Sequence, residues 1–151
     1  MIDTSNIVPG KERAWARLAT LSGAAIYVLS FFLPVVDVFE GTASGWAAFV
    51  FSFALIFDSS ASVSSAWMFA LGLSNLPLWY TAGRLLLAKR ISLRLLGTMI
   101  VSTFLALSYG VGAAFQDGLD DVRIGYYVWA TAFVLISAAA ALDLRSGPAS
   151  A

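Results

Sequence analysis

Few residues in this sequence have the chemistry to react, bind or coordinate, and the absences narrow the field first. The chain has no cysteine and no histidine. Zinc, copper, haem and iron–sulfur sites depend on thiolate or imidazole ligands, so none is expected and no cofactor is assigned. Catalytic triads that activate serine or cysteine need an imidazole base, and none can be built. Gly110 and Gly112 lack the third glycine and the preceding strand of a phosphate-cradling loop. Carboxylates, hydroxyls, one amide and a group of cations remain.

Asp117, Asp120 and Asp121 cluster in QDGLDDVR, and Asp37, Glu40 and Asp58 fall in another polar segment. Clustered carboxylates can bind calcium, but this spacing fits no known calcium loop. Paired carboxylates can act as acid and base, yet no nucleophile or oxyanion donor accompanies them. A solvated acidic surface is the plainer reading.

Asn75 and Pro77 lie together in SNLPLW. Proline removes a backbone donor and frees a carbonyl about one turn earlier, near Leu73. Broken helices of this kind form midplane substrate sites in transporters, although kinks satisfied by neighbouring helices are commoner. With Ser74, Thr81, Ser102 and Thr103, these two residues make the most polar zone of the apolar segments. Ser102, Ala106, Gly110 and Ala114 recur every four residues and share one helix face. Small residues allow close helix approach, which implies packing within a bundle or, alternatively, an oligomer interface. The segment RLLLAKRISLR supplies Arg84, Lys89, Arg90 and Arg94. Such cations attract anionic lipid headgroups by about 1 kcal/mol each, and they also serve simply as a topology signal.

These groups must be held by elements that composition identifies. Of 151 residues, 60% are hydrophobic and 12% charged, with a mean hydropathy of +0.83. Soluble domains run nearer ~45–50% apolar and ~25% charged. Nine basic and nine acidic residues cancel, and a soluble protein so apolar and so neutral would precipitate. Water-soluble enzymes, nucleic-acid binders with a basic face and disordered tails are excluded. The fold class expected is all-α, a polytopic membrane protein.

A crossing of ~30 Å takes about 18 or more uncharged apolar residues. Four runs qualify, at 18–36, 66–88, 95–115 and 124–142, with Arg84 near the end of the second. The first follows a basic stretch, like a signal peptide, but its 19 residues exceed the usual ~7–15-residue apolar core and no A-x-A-like site follows. Eight of the nine basic residues then fall on one side, with Arg123 alone on the other. The positive-inside rule makes that side cytoplasmic and places both termini there. The inner face carries eight basic and three acidic residues, the outer face one and six. Residues 45–57 (GWAAFVFSFALIF) are too short to cross untilted and read as a re-entrant or interfacial helix anchored by Trp46. A strand there would leave its backbone unsatisfied in lipid.

Trp46, Trp67, Tyr126, Tyr127 and Trp129 fall near the outer interface and Trp15, Trp79 and Tyr80 near the inner one. Tyr27 and Tyr109 sit deeper, where their hydroxyls need partners. Short connections from the second span onward predict a single domain, one antiparallel four-helix bundle over residues 1–151.

The order LSFFLP at 29–34, GW at 45–46, SNLPLW at 74–79 and GYYVW at 125–129 resembles small four-span bacterial inner-membrane proteins without an assigned activity. The resemblance covers most of the chain and implies the same layout, with no activity and no site. Small multidrug exporters of similar size need a carboxylate in the first span, and this chain has none there. The expectation is a non-catalytic bacterial inner-membrane protein, a subunit or partner in a larger membrane assembly. It contacts the bilayer and either itself or another membrane protein. A channel for a small neutral solute using Asn75 is the alternative, and a lipid-modifying enzyme using the outer carboxylates is a third.

Overall fold

In a computed structural model, residues 9–38, 41–54, 63–116 and 122–146 are described. Among them the chain is helical apart from one two-stranded hairpin. Helix α1 runs Pro9–Ser30. Proline opens it well, since a first-turn N–H has no partner within a helix. The first expected span, 18–36, is corrected here: the helix stops at Ser30, and Phe31, Phe32 and Leu33 turn on bonds to Val28, Leu29 and Ser30 carbonyls. Pro34 explains the stop, because the residue before proline is pushed out of the helical region. Then β1 (Pro34–Val38) pairs antiparallel with β2 (Gly41–Ser44), Val36 opposite Ala43 and Asp37 opposite Thr42. Gly41 takes φ +136°, where a side chain would be strained.

Helix α2 (Gly45–Ala54) follows directly. The helical reading of 45–57 therefore holds through Ala54, and 55–57 lie outside the described residues. At about 15 Å the helix is far too short to cross a bilayer. Its first N–H groups return to the end of α1, Gly45 N to Leu33 O at 3.0 Å and Trp46 N to Phe31 O at 3.1 Å. A Cβ on Gly45 would collide with the Ser30 carbonyl, so glycine is what lets this loop close.

Helices α3 (Val63–Leu86), α4 (Leu93–Gln116) and α5 (Ile124–Arg145) complete the chain. Helix α5 packs on α1, α3, α4 and β1, and α3 also packs on α1, α2 and α4. Small residues make the closest approaches. Ala132, Ala139 and Ala140 of α5 are fully buried, and a Cβ on Gly23 of α1 would lie 2.8 Å from Ile136 Cγ1.

Two helical segments are long and apolar enough to cross a membrane, Leu93–Gly112 and Ile124–Arg145. The other two expected spans fall short for legible reasons. Helix α1 spends its first turns on Lys11, Glu12, Arg13 and Arg17, and α3 carries Asn75, Pro77, Tyr80 and Arg84.

The α3–α4 turn is a Schellman arrangement, in which Lys89 N bonds Arg84 O at 2.8 Å and Ala88 N bonds Leu85 O at 3.1 Å. Ala88 occupies the left-handed position at φ 55°, usually held by glycine. Asp143 of α5 accepts from Ile91 N at 3.0 Å, and Arg84 Nη2 donates to Arg90 O at 2.7 Å. At the opposite end, Arg123 N bonds Val35 O at 2.9 Å and the Arg123 guanidinium pairs with Asp37, fastening the hairpin to the start of α5.

Candidate functional site

Asn75 is the centre of the most connected polar group in the bundle. It lies on α3, 4% exposed, two residues before Pro77. Tyr27 of α1 donates its hydroxyl to Asn75 Oδ1 at 2.8 Å, and Trp129 of α5 donates Nε1 to the same oxygen at 3.0 Å. An indole N–H can only donate, which fixes the amide's orientation. Asn75 Nδ2 then points back along its own helix, to Leu71 O at 3.1 Å and Gly72 O at 2.9 Å. Three helices meet on one amide whose hydrogen-bonding capacity is used up.

A second knot joins α4 to α5. Tyr126, 4% exposed, accepts from Gly110 N at 2.9 Å and donates to Ala106 O at 2.9 Å. Residues 106 and 110 are one helical turn apart, so the hydroxyl sits between groups that an unbroken helix joins directly. A Cβ on Gly110 would stand 2.7 Å from that hydroxyl.

Between the knots lies a partly open cavity of about 90 Å³. Its closed floor is formed by buried Tyr27, Ser30, Ser52, Leu71, Asn75 and Tyr126. Half-buried Val35, Ala48, Phe49, Met68 and Tyr109 line its open side. Of its lining rings, Tyr27, Phe31 and Phe49 meet edge to face in series, and the series extends to Trp79 on Tyr27 and Phe53 on Phe49. Such geometry sets the positive edge of one ring on the negative face of the next.

The six residues of the expected polar zone do not form one site. Asn75 alone lines the cavity. Ser74 bonds its own helix at Leu71 O, 2.6 Å away. Thr103 of α4 bonds Met99 O at 2.8 Å and shares a 2.8 Å bond with Ser137 of α5. Ser102 is buried on α4, and Thr81 is fully buried with no partner for its hydroxyl among the described residues.

On the small-residue face, Ala106 is fully buried and Gly110 meets Tyr126, so this part of the stripe packs against α5. The Ala114 side chain lies outside the described set. Among the cations of the 84–94 segment, Arg84 is half-buried and committed to Arg90 O and the Tyr80 ring, whereas Lys89, Arg90 and Arg94 are exposed. Of the six carboxylates singled out in the sequence only Asp37 is described, and Glu40, Asp58, Asp117, Asp120 and Asp121 lie outside the described residues. The hydrogen bond from the Arg123 guanidinium holds the Asp37 carboxyl below its usual range.

Two expectations are corrected. Tyr126 and Trp129, expected at the outer interface with Tyr127, both turn inward and hold the knots, while Tyr127 remains exposed. Aromatic type marks interfaces only when the side chain faces outward, and GYYVW puts its first tyrosine and its tryptophan on the helix face opposite Tyr127. Searched against protein-family models, curated proteins and solved structures, the chain matches none.

Proposed function

We propose that this chain is a non-catalytic, four-span integral membrane protein of a bacterial inner membrane that acts by association, as a subunit or docking partner in a larger membrane assembly. The observation that carries the membrane reading is the outward surface of the two helices whose composition falls short. Helix α1 exposes Leu18, Leu21, Val28 and Leu29, and α3 exposes Leu73 and Leu76. Helix α4 presents Ile100, Val101, Phe104 and Leu107 in the same way. Four long helices that are apolar outside suit a hydrocarbon surround. Exposed Trp15, Trp79 and Tyr80 toward one end, and Trp46, Trp67 and Tyr127 toward the other, suit the two interfaces.

Association is favoured over reaction or passage because the interior holds little to do either. The Asn75 amide has no lone pair or N–H left for a passing solute. Asp37 is occupied by Arg123.

In-cell crosslinking with mass spectrometry, together with elution in mild detergent, tests this reading. A discrete complex or a self-associated species is expected. A chain that elutes as a lone monomer and crosslinks to nothing overturns association, and a chain recovered in the soluble fraction overturns the membrane reading.

A further inference from the structure

We infer that the cavity beneath α2 is a binding site for the hydrocarbon tail of a membrane lipid, admitted from the outer half of the bundle. This rests on the membrane-embedded reading above. Its volume, about 90 Å³, is smaller than the ~150 Å³ apolar cavity that takes benzene, so it receives the end of a tail and not its whole length.

The class of occupant follows from a count of donor protons. The hydroxyl of Tyr27 is given to Asn75 and that of Ser30 to Tyr27 O at 2.6 Å. Ser52 gives its own to Phe49 O at 2.7 Å. Tyr126 donates to Ala106 O and Trp129 to Asn75, while both Asn75 N–H groups return to α3. None of these six side chains has a proton left for a ligand. A phosphate or carboxylate, which can only accept, would lose its hydration on this floor without replacement.

A saturated or branched tail asks for no hydrogen bond and gains from aromatic walls. The open side is itself largely apolar, rimmed by Val35, Ala48, Phe49, Met68 and the ring of Tyr109. Those residues continue into exposed Val50, Phe51 and Trp67 on the flanking faces of α2 and α3. A tail can therefore pass from the surrounding hydrocarbon into the cavity without crossing a charged side chain among the described residues. Gly72 supports the same geometry: a Cβ there would strike the Ser52 hydroxyl, so glycine lets α2 seat closely on α3 as one wall.

The test uses the full chain in nanodiscs of phosphatidylethanolamine and phosphatidylglycerol doped with a phospholipid bearing a diazirine near the end of one acyl chain. After illumination, peptides are mapped by mass spectrometry. Label enriched at Phe49, Met68 and Tyr109 over outward-facing Val101 and Phe104 of α4 is expected. In Ala48→Trp, which fills the open side, the cavity label is lost and the α4 label is retained, with helical circular dichroism unchanged. The wild-type ratio decides the matter even if that variant does not fold. Equal labelling of cavity and α4 residues overturns the tail site while leaving the membrane reading in place, as does cavity label unaltered in a folded Ala48→Trp. No label on any helix overturns both.

Discussion

Toward the hairpin, residues far apart in sequence are joined by directed bonds: Tyr27 and Trp129 to Asn75, Tyr126 to the α4 backbone, Arg123 to Asp37. Toward the α3–α4 turn one such bond, from Ile91 N to Asp143, accompanies a cluster of Leu85, Ile91, Ala139 and Ala140 pressed together with Ala19, Leu95 and Leu96 around them. The first region keeps an open volume, and the second is a cluster of buried aliphatic side chains. The difference follows from what each region uses to hold its shape. Large rings fixed by hydrogen bonds cannot slide into a void, whereas small aliphatic side chains close around one another until no space is left.

That contrast can be broken most directly at Asn75. Replacing it with leucine leaves the Tyr27 hydroxyl and the Trp129 N–H buried without an acceptor, at about 2–5 kcal/mol in total. Unfolding in mixed micelles measures the loss, and Tyr27→Phe, which orphans no donor, is expected to cost only about 1 kcal/mol. At the other end, Ala140→Leu forces three extra carbons into a closed cluster and is expected to cost about 2 kcal/mol by the same assay. If Asn75→Leu proves milder than Ala140→Leu, the directed bonds are not what holds the hairpin end.

Smaller effects sharpen the picture. Ala88→Gly relieves the left-handed position of the α3–α4 turn and is expected to raise stability by about 0.5 kcal/mol, visible as a higher melting temperature. The smallest is a pH effect. Arg123 lowers the Asp37 pKa in the folded chain from its ordinary 3.8. The stabilisation is therefore full above that value and is lost as pH falls through the folded value. Melting measured from pH 7 down to pH 3 should fall more steeply for the native chain than for Asp37→Asn.

The sequence disclosed the helices and one end of the site, and the missing parts have identifiable causes. Residues 66–88, 95–115 and 124–142 carry long, largely apolar runs, and α3, α4 and α5 lie on them. The hairpin was missed because PVV continues the apolar run of α1 without a charge before Asp37. Its signal was the proline at 34 followed by β-branched residues, read there as the tail of a helix. Asn75 was legible as an amide in an apolar segment. Its acceptors and donors were not, since Tyr27 is 48 residues away and Trp129 is 54. Tyr27 did announce itself as a hydroxyl in need of a partner, but nothing in a linear pattern matches one such group to another. Trp129 and Tyr126 gave a misleading signal, because interfacial and inward aromatics share the same residue types.

The Tyr126 hydroxyl between Gly110 and Ala106 has a consequence for how α4 is made. A helix ordinarily completes its own ladder before it meets a neighbour. Here the Gly110 N–H and the Ala106 carbonyl also bond a side chain of the next helix, sixteen residues past Gly110. Docking of α5 therefore adds directed bonds to the α4 backbone, and secondary structure and tertiary contact support each other at that point. The hydroxyl also acts as an index pin: advancing α4 by one residue along α5 would withdraw it from both groups. Alignment of the two helices is thus set in steps, with one position correct and its neighbours wrong.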